Sequence, residues 1–403
     1  MTKKRFEYII VSMIRTAVIG MGNMGSKYAA MIWNGNIPGM ELATFTRVKE
    51  QFKKEVDSLI NSGLPVFDSA DNLFRAVQEG QLKLDAIIIC TPHYSHEKIA
   101  VRAFELGLNV LCEKPLGVYS RQSRKMLEAA EKSDKVFSVM FQFRTHPVYK
   151  ELQKLIETKK YGKLKRMHWL ITDWYRPQGY YQQSSWHSTW KTDGGGVILN
   201  QCPHNLDLVQ WICGMPSRVQ AFCHEGKYHN IEVEDDATVY FEWPNGATGT
   251  FISSTGDAPG INRLELFMDE ALVICENGKL KIAELQPELG MTEAQYRQTA
   301  TDFFKPIHGS WTESTPPTDP EPYRKVLTAF SEECAGSGKP VASGLDGHKV
   351  MLISNAIYLS SWKHKMVNIP EPFSKEEIKF ERKFERVMDI KKASCFSKKI
   401  MIL

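Results

Sequence analysis

Residues 20–25, Gly-Met-Gly-Asn-Met-Gly, limit what this chain can fold into more than any other stretch. They follow "IRTAVIG" (14–20), an apolar and β-branched run that reads as a buried parallel strand. They lead into "SKYAAMIW", which reads as helix. Alone, Gly-x-Gly-x-x-Gly is only a glycine-rich turn. Between a strand and a helix it is a dinucleotide cradle: the first glycine turns tightly, the second admits a pyrophosphate, and the third lets helix and strand pack closely. Gly20, Gly22, Asn23, Met24 and Gly25 are therefore expected to contact a dinucleotide.

The next strand, "MELATFT" (40–46), ends in Thr46-Arg47, with no acid before Glu50. A carboxylate there would bind a ribose 2′-hydroxyl, whereas a hydroxyl followed by a guanidinium suits a 2′-phosphate. NAD and NADP both stay open, with Thr46 and Arg47 favouring NADP, although an arginine can also stack on adenine. "LDAIIICTP" (84–92) and "LNVLCEKP" (108–115) read as the fourth and fifth strands, with helical stretches such as 97–106 between them. Alternating βα units predict an α/β fold of the Rossmann type, a doubly wound parallel sheet.

After about residue 150 the pattern changes. "VYFEW-PNG-ATGTFISS" and "DEALVIC-ENG-KLKIAEL" are strand pairs joined at Asn-Gly turns, so a mostly antiparallel sheet is expected in a second domain. A chain of 403 residues is long enough for two cores. The predicted division is an N-terminal extension (1–13), a Rossmann domain (14–145), an α/β substrate and oligomerisation domain (146–372) and a charged C-terminal tail (373–403). That tail reads as a solvated helix, an oligomer contact or a loose end. Net charge is only +4, and no Lys/Arg block is interleaved with aromatics, so nucleic acid is not an expected partner. The eight cysteines form no Cys-x-x-Cys pair and no Cys/His metal spacing, which reads as small buried hydrophobes in a reducing compartment. No apolar run is long enough to span a bilayer, and the apolar patch of "MTKKRFEYIIVSM" is too short for a signal peptide. The expected address is cytoplasmic, with no membrane partner and Met13 as good a start as Met1.

"DGGGVILNQCPHNLDLVQWICG" (193–214) carries the most chemistry. As one helix it would place Asn200, His204 and Asp207 along a single face. The glycines before it suit a helix N-terminus that must meet a ligand or another segment closely. The plainer reading is a buried helix in which His204 hydrogen-bonds Asp207. Just upstream, 173–191 is unusually aromatic, with Trp174, Tyr175, Tyr180, Tyr181, Trp186 and Trp190. Such a loop suits the C–H face of a sugar ring or, equally, a subunit interface. Asp173, Trp190 and Lys191 flank it and are candidate substrate contacts.

In order, "AVIGMGNMG", "TPHYSHEKIA", "CEKP" and "GGGVILNQCPHNLDL" make residues 14–372 resemble the glucose–fructose oxidoreductase/inositol dehydrogenase (Gfo/Idh/MocA) family. The resemblance implies a Rossmann domain followed by an α/β domain whose large open sheet mediates a homodimer or homotetramer, and NAD(P)-dependent oxidation of a sugar or cyclitol hydroxyl. It implies that Lys114 is the catalytic lysine, that His204 handles the hydroxyl proton, and that Thr91, Pro92, His96, Glu113 and Lys114 help hold the cofactor. The chemistry agrees, because hydride leaves a carbinol only as its proton is accepted, and an imidazole accepts one near neutrality. Many members carry Asp four residues before the histidine; Asn200 stands here, an amide that can bind hydroxyls but cannot be a base. The same place is Asn in some relatives that oxidise the C3 hydroxyl of sugar nucleotides. That departure favours a sugar or glycoside over a cyclitol, at C3. Asp207 reads as a structural partner, and no metal is expected. Two alternatives remain: a redox-neutral enzyme with tightly held NAD that forms or cleaves 3-oxo-glycosides, and a non-catalytic NAD(P)-binding sensor.

Overall fold

The computed structural model describes residues 13–47, 59, 61, 63–182, 188–286, 290–302, 304 and 307–400, with side chains through 393. The readings made above for residues 1–12, Glu50 and Trp186 lie outside that set. Strands β1 (Ile14–Ile19), β2 (Met40–Thr46), β3 (Val66–Phe67), β4 (Ala86–Ile89), β5 (Asn109–Cys112) and β6 (Phe137–Val139) form a parallel sheet in the order 3-2-1-4-5-6. Both of its faces are buried. Ala17, Ile19, Ile87, Ile89, Val110 and Cys112 point to one core, and Val18, Ile88 and Leu111 to the other. That period of two, apolar on both sides, is why these strands appear in the sequence as unbroken apolar runs. Strands β4 and β5 end sooner than 84–92 and 108–115 implied. Pairing stops at Ile89 and Cys112, and the following residues turn out at the carboxyl edge of the sheet.

The second sheet holds β7 (Leu164–Ile171), β8 (Arg218–Glu225), β9 (Glu234–Glu242), β10 (Thr248–Ser254), β11 (Asn262–Met268), β12 (Ala271–Glu276), β13 (Lys279–Leu285), β14 (Gly309–Ser314) and β15 (Val367–Asn368). Its order is 14-13-12-11-7-10-9-8-15, antiparallel except for the β7–β10 pair. The hairpins fall where the Asn-Gly pairs placed them, between β9 and β10 and between β12 and β13. At the second turn, Asn277 and Gly278 both take positive φ (53° and 76°), the conformation whose twist matches the flanking strands.

Two late helices tie the sheets together. Helix Pro322–Cys334 lies far along the chain yet packs Val326, Leu327 and Phe330 against β1 and β2, and its Ser331 hydroxyl donates to Pro38 O at 2.9 Å. Each such side chain contributes about 1.5–3 kcal/mol on burial, so part of the 146–372 segment completes the core of the Rossmann domain. Helix Gly344–Lys363 is buried along most of its length, and its Asn355 bridges Ser120 N (2.8 Å) and Val118 O (2.9 Å). Among the described residues, no helix is long and apolar enough to cross a membrane.

The charged C-terminal segment is neither loose nor simply solvated. It forms helix Lys375–Ile400, which buries Phe380, Phe384 and Met388. Phe384 stacks on Trp362 at 5.8 Å, while Arg124 pairs with Glu381 (2.9 Å) and His348 with Glu377 (2.9 Å). Its alternating charges thus hide an apolar stripe. Phe384→Ala is expected to cost about 3–5 kcal/mol, seen as a lowered thermal midpoint; an unchanged midpoint would show that the helix does not contribute to the core.

Candidate active site

The three glycines of residues 20–25 have three different neighbourhoods. At Gly20, with φ +97°, a Cβ would sit 2.8 Å from Cys90 O; at Gly25 it would sit 1.9 Å from Gly20 O. At Gly22 it would meet no atom of the described residues within 4 Å. Turn and packing therefore account for the first and third glycines. The second is bare on a side that a ligand can approach, at the N-terminus of helix Asn23–Trp33, so the loop fits a dinucleotide pyrophosphate. The Thr46 hydroxyl accepts from Gly20 N at 2.9 Å and ties the end of β2 to this loop. Thr91 and Pro92 follow β4 alongside it.

After β5 the chain presents Glu113 and Lys114. The Glu113 carboxylate accepts from the Tyr28 hydroxyl and from Lys114 N (3.1 Å), and burial pushes its carboxyl above the usual range. Lys114 Nζ donates to Asn200 O at 2.8 Å. Burial lowers the lysine, opposed first by Glu113 and then by Asp193.

Segment 193–213 is not one α-helix. Val197–Gln201 is a π-turn, with Cys202 N bonded to Val197 O at 2.8 Å, and an α-helix starts at Pro203. Proline has no N–H to extend the earlier ladder, and π-bulges recur where side chains must be re-aimed. Asn200, His204 and Asp207 accordingly find three separate partners. Asn200 Nδ2 donates to both oxygens of Asp193 at 3.2 Å. Asp207 takes a bidentate pair from Arg144 at 2.8 and 2.6 Å, not a bond from His204. His204 lies against Phe143, ring centroids 4.8 Å apart, with Gln142 Nε2 3.3 Å from its Nε2. It is 7% exposed, and burial, followed by the charges of Lys114 and His146, holds its pKa well below 6.5, so the ring is neutral near pH 7.

These groups line a cleft of about 260 Å³ between the carboxyl edge of the parallel sheet and the second domain. Met24, Glu113, Lys114, Asn200 and His204 share it. Gln142 Oε1, Gln201 Oε1, His204 Nδ1, Trp174 Nε1 and Arg176 Nε are buried on its walls with no hydrogen-bond partner among the described residues. Orphaned polar atoms are rare in folded chains, and gathered in one cleft they mark where a polar ligand sits.

Comparison with known proteins agrees with this architecture. The oxidoreductase family model with an NAD-binding Rossmann fold (Gfo/Idh/MocA) matches residues 14–141, and the Gfo/Idh/MocA C-terminal domain model matches 149–279. The chain belongs to the Gfo/Idh/MocA family. Levoglucosan dehydrogenase of Pseudarthrobacter phenanthrenivorans is 25% identical over 327 residues, covering 72% of this chain and 80% of the relative. Myo-inositol 2-dehydrogenase of Thermotoga maritima is 21% identical over 364 residues, covering 89% and 99%. The solved WlbA dehydrogenase of Bordetella pertussis, in complex with NADH and UDP-GlcNAcA, shares the fold with a TM-score of 0.71 at 20% identity, covering 89% of this chain and 98% of that one.

Within this Gfo/Idh/MocA oxidoreductase, several expected contacts lie elsewhere. Trp190 is 1% exposed and packs on Tyr358 and Trp362 at 5.3 and 5.2 Å, so it belongs to the core and not to a substrate surface. Lys191 is exposed, and Asp173 is exposed and held by Asn262 at 3.2 Å; neither lines the cleft. Both ring nitrogens of His96 face backbone carbonyls, Pro115 O at 2.9 Å and Thr91 O at 2.6 Å, so it staples the turn after β4 to the segment after β5 with no edge left for a ligand. Nor do Gly194–Gly196 approach a ligand: a Cβ at each would collide in turn with Val118, the Tyr358 hydroxyl and Glu234 O. Conversely Gln142, Phe143, Trp174, Arg176, Tyr180, Gln201 and Tyr323 line the cleft without having been assigned to it. The aromatic loop signalled Trp174 and Tyr180; Gln142 and Tyr323 sit in no motif.

The glycine loop yields a paired test. Gly25→Ala must displace backbone and should cost about 1–3 kcal/mol, whereas Gly22→Ala should leave the thermal midpoint unchanged and weaken dinucleotide binding. A Gly22→Ala protein that binds dinucleotide normally in a fluorescence titration would remove this loop from the cofactor site.

Proposed function

We propose that this oxidoreductase oxidises a ring hydroxyl of a sugar or glycoside, at C3, with Lys114 and His204 handling the proton. The observation that carries the reading is that a buried neutral imidazole and the buried Lys114 amine share one cleft with the helix N-terminus that follows Gly22. The nicotinamide supplies the hydride acceptor. His204 accepts the hydroxyl proton as the carbinol becomes a carbonyl, and its lowered pKa keeps it in the accepting form. Lys114 stabilises the negative charge developing on that oxygen. Asn200 gives its amide N–H to Asp193 and keeps its carbonyl oxygen to accept from a neighbouring hydroxyl. Trp174 and Tyr180 offer flat faces to the sugar, with the Arg176 guanidinium 5.5 and 5.0 Å from their rings. A sugar with several adjacent hydroxyls also answers the orphaned donors and acceptors on the walls.

On this reading Lys114→Ala and His204→Ala each lower kcat/KM by about 10²–10⁴-fold in a panel of hexoses and glycosides, with dinucleotide binding retained in His204→Ala. Normal turnover in both variants would sink the assignment, and glycoside cleavage without net NADH would replace it with the redox-neutral reaction.

For the cofactor, the described end of β2 bears no carboxylate and Arg47 follows it, which supports NADP over NAD. Arg47→Ala is then expected to reduce kcat/KM for NADP by about tenfold or more and to spare NAD. Equal losses, or a wild-type preference for NAD as the NADH-bound relative would have it, overturn that preference.

A further inference from the structure

Behind Asn200 lies a buried carboxylate that the reaction above does not use. Asp193 is 3% exposed, and its oxygens accept from Asn200 Nδ2 (3.2 Å each) and from Ser188 N (3.3 Å). Its one ion-pair contact among the described residues is His93 Nδ1 at 3.5 Å, and that nitrogen lies closer, at 2.9 Å, to the backbone oxygen of Asp193. An asparagine or serine could receive the same neutral donors without burying a charge. What Asp193 adds is the charge itself.

The nearest use for that charge is one residue away. Asn200 is gripped from both sides, its side chain by Asp193 and its backbone oxygen by Lys114 Nζ at 2.8 Å. Glu113 is the larger negative charge beside the lysine and is tied down by Tyr28 and Lys114 N, and Asp193 is the next. We propose that Asp193 is a positioning residue of the active site, whose carboxylate orients the Asn200 amide and adds, behind Glu113, a second negative charge that supports a protonated Lys114. It touches no reacting atom and acts through Asn200 and Lys114.

The remaining charged and titratable groups around it are consistent with that role. His93 and Tyr94 face it from the turn after β4, Lys114 from the end of β5 with Glu113 beside the lysine, and Tyr358 from helix Gly344–Lys363 with Glu234 beyond. Burial pushes Asp193 up to about 7, against the donors from Ser188 and Asn200 and the charge of Lys114. As pH falls through that range Asp193 takes a proton and Lys114 loses its support. As pH rises, the carboxylate keeps Lys114 protonated further up the scale.

The test reads Lys114 directly and so stands apart from the choice of substrate. The full chain is acetylated with acetic anhydride over a pH series, and the Lys114 rate is followed by mass spectrometry in wild type, D193N, D193E and D193N/N200D. In D193N the apparent Lys114 pKa is expected to fall by about one unit or more. D193E should hold it near wild type, and D193N/N200D should restore it, because the carboxylate then returns on the other side of the same hydrogen bond. Once a sugar substrate is in hand, the acid limb of kcat/KM near pH 7 should vanish in D193N with little change in KM. A Lys114 titration identical in wild type and D193N, or a double variant no better than D193N, would overturn the proposal. If D193N does not fold, D193S, which removes the charge and keeps a hydrogen-bond acceptor, takes its place and is read in the same way.

Discussion

A single buried carboxylate, Glu234 on β9, organises the middle of this molecule. It accepts from Gly196 N (3.0 and 2.9 Å), Ile198 N (2.9 Å) and the Tyr358 hydroxyl (2.8 Å). Burying a carboxyl is costly, and burial pushes this one up to about 7. The donors that offset the cost are backbone N–H groups at the start of a helical turn, which have no partner within the turn itself. They can reach β9 only because Gly196 has no Cβ; one there would lie 1.8 Å from Glu234 O. Where this carboxylate sits therefore decides where the Val197–Gln201 turn begins, and with it the positions of Asn200, Gln201 and His204. Through Tyr358 it also links that turn to helix Gly344–Lys363.

A second buried ion group fixes the other end. Arg144, from the turn after β6, meets Asp207 in a bidentate pair, with Asp346 at 3.2 Å from the same guanidinium. Burial opposes the arginine charge, yet the two carboxylates hold its pKa above the ordinary value. Three segments distant in the chain are thereby held at one point: the last turn of the Rossmann domain, the His204 helix and the start of helix Gly344–Lys363. The cleft lies between these two anchors. Its own groups are a neutral imidazole and a lysine lowered by burial.

Much of this was legible from local pattern. The parallel strands showed as apolar runs because both faces of that sheet are buried, and the hairpins showed because Asn277-Gly278 has the turn chemistry that a two-residue connection demands. Strands β3 and β6 left no trace, being two and three residues long, too short for any period to register. The docked C-terminal helix was hidden by its own charges, since Phe380, Phe384 and Met388 are spaced by four among lysines and glutamates. In the 193–214 stretch the residue types were readable but the helix was not continuous. A π-turn ahead of Pro203 changed which partner each side chain found.

By itself the sequence determined the elements and the chemistry available to them: a glycine loop between strand and helix, a lysine after the fifth strand, a histidine in a glycine-led helix. Periodicity and turn chemistry are local properties, and so they are written locally. Only the tertiary structure decided which of these groups meet. It drew Trp190 into the core and brought Gln142 and Tyr323, 181 residues apart, to one wall. It also set Asp193 behind Asn200 and turned three glycines toward protein neighbours. Those choices depend on burial and on long-range pairing of buried charges, and neither is set by a residue's neighbours along the chain.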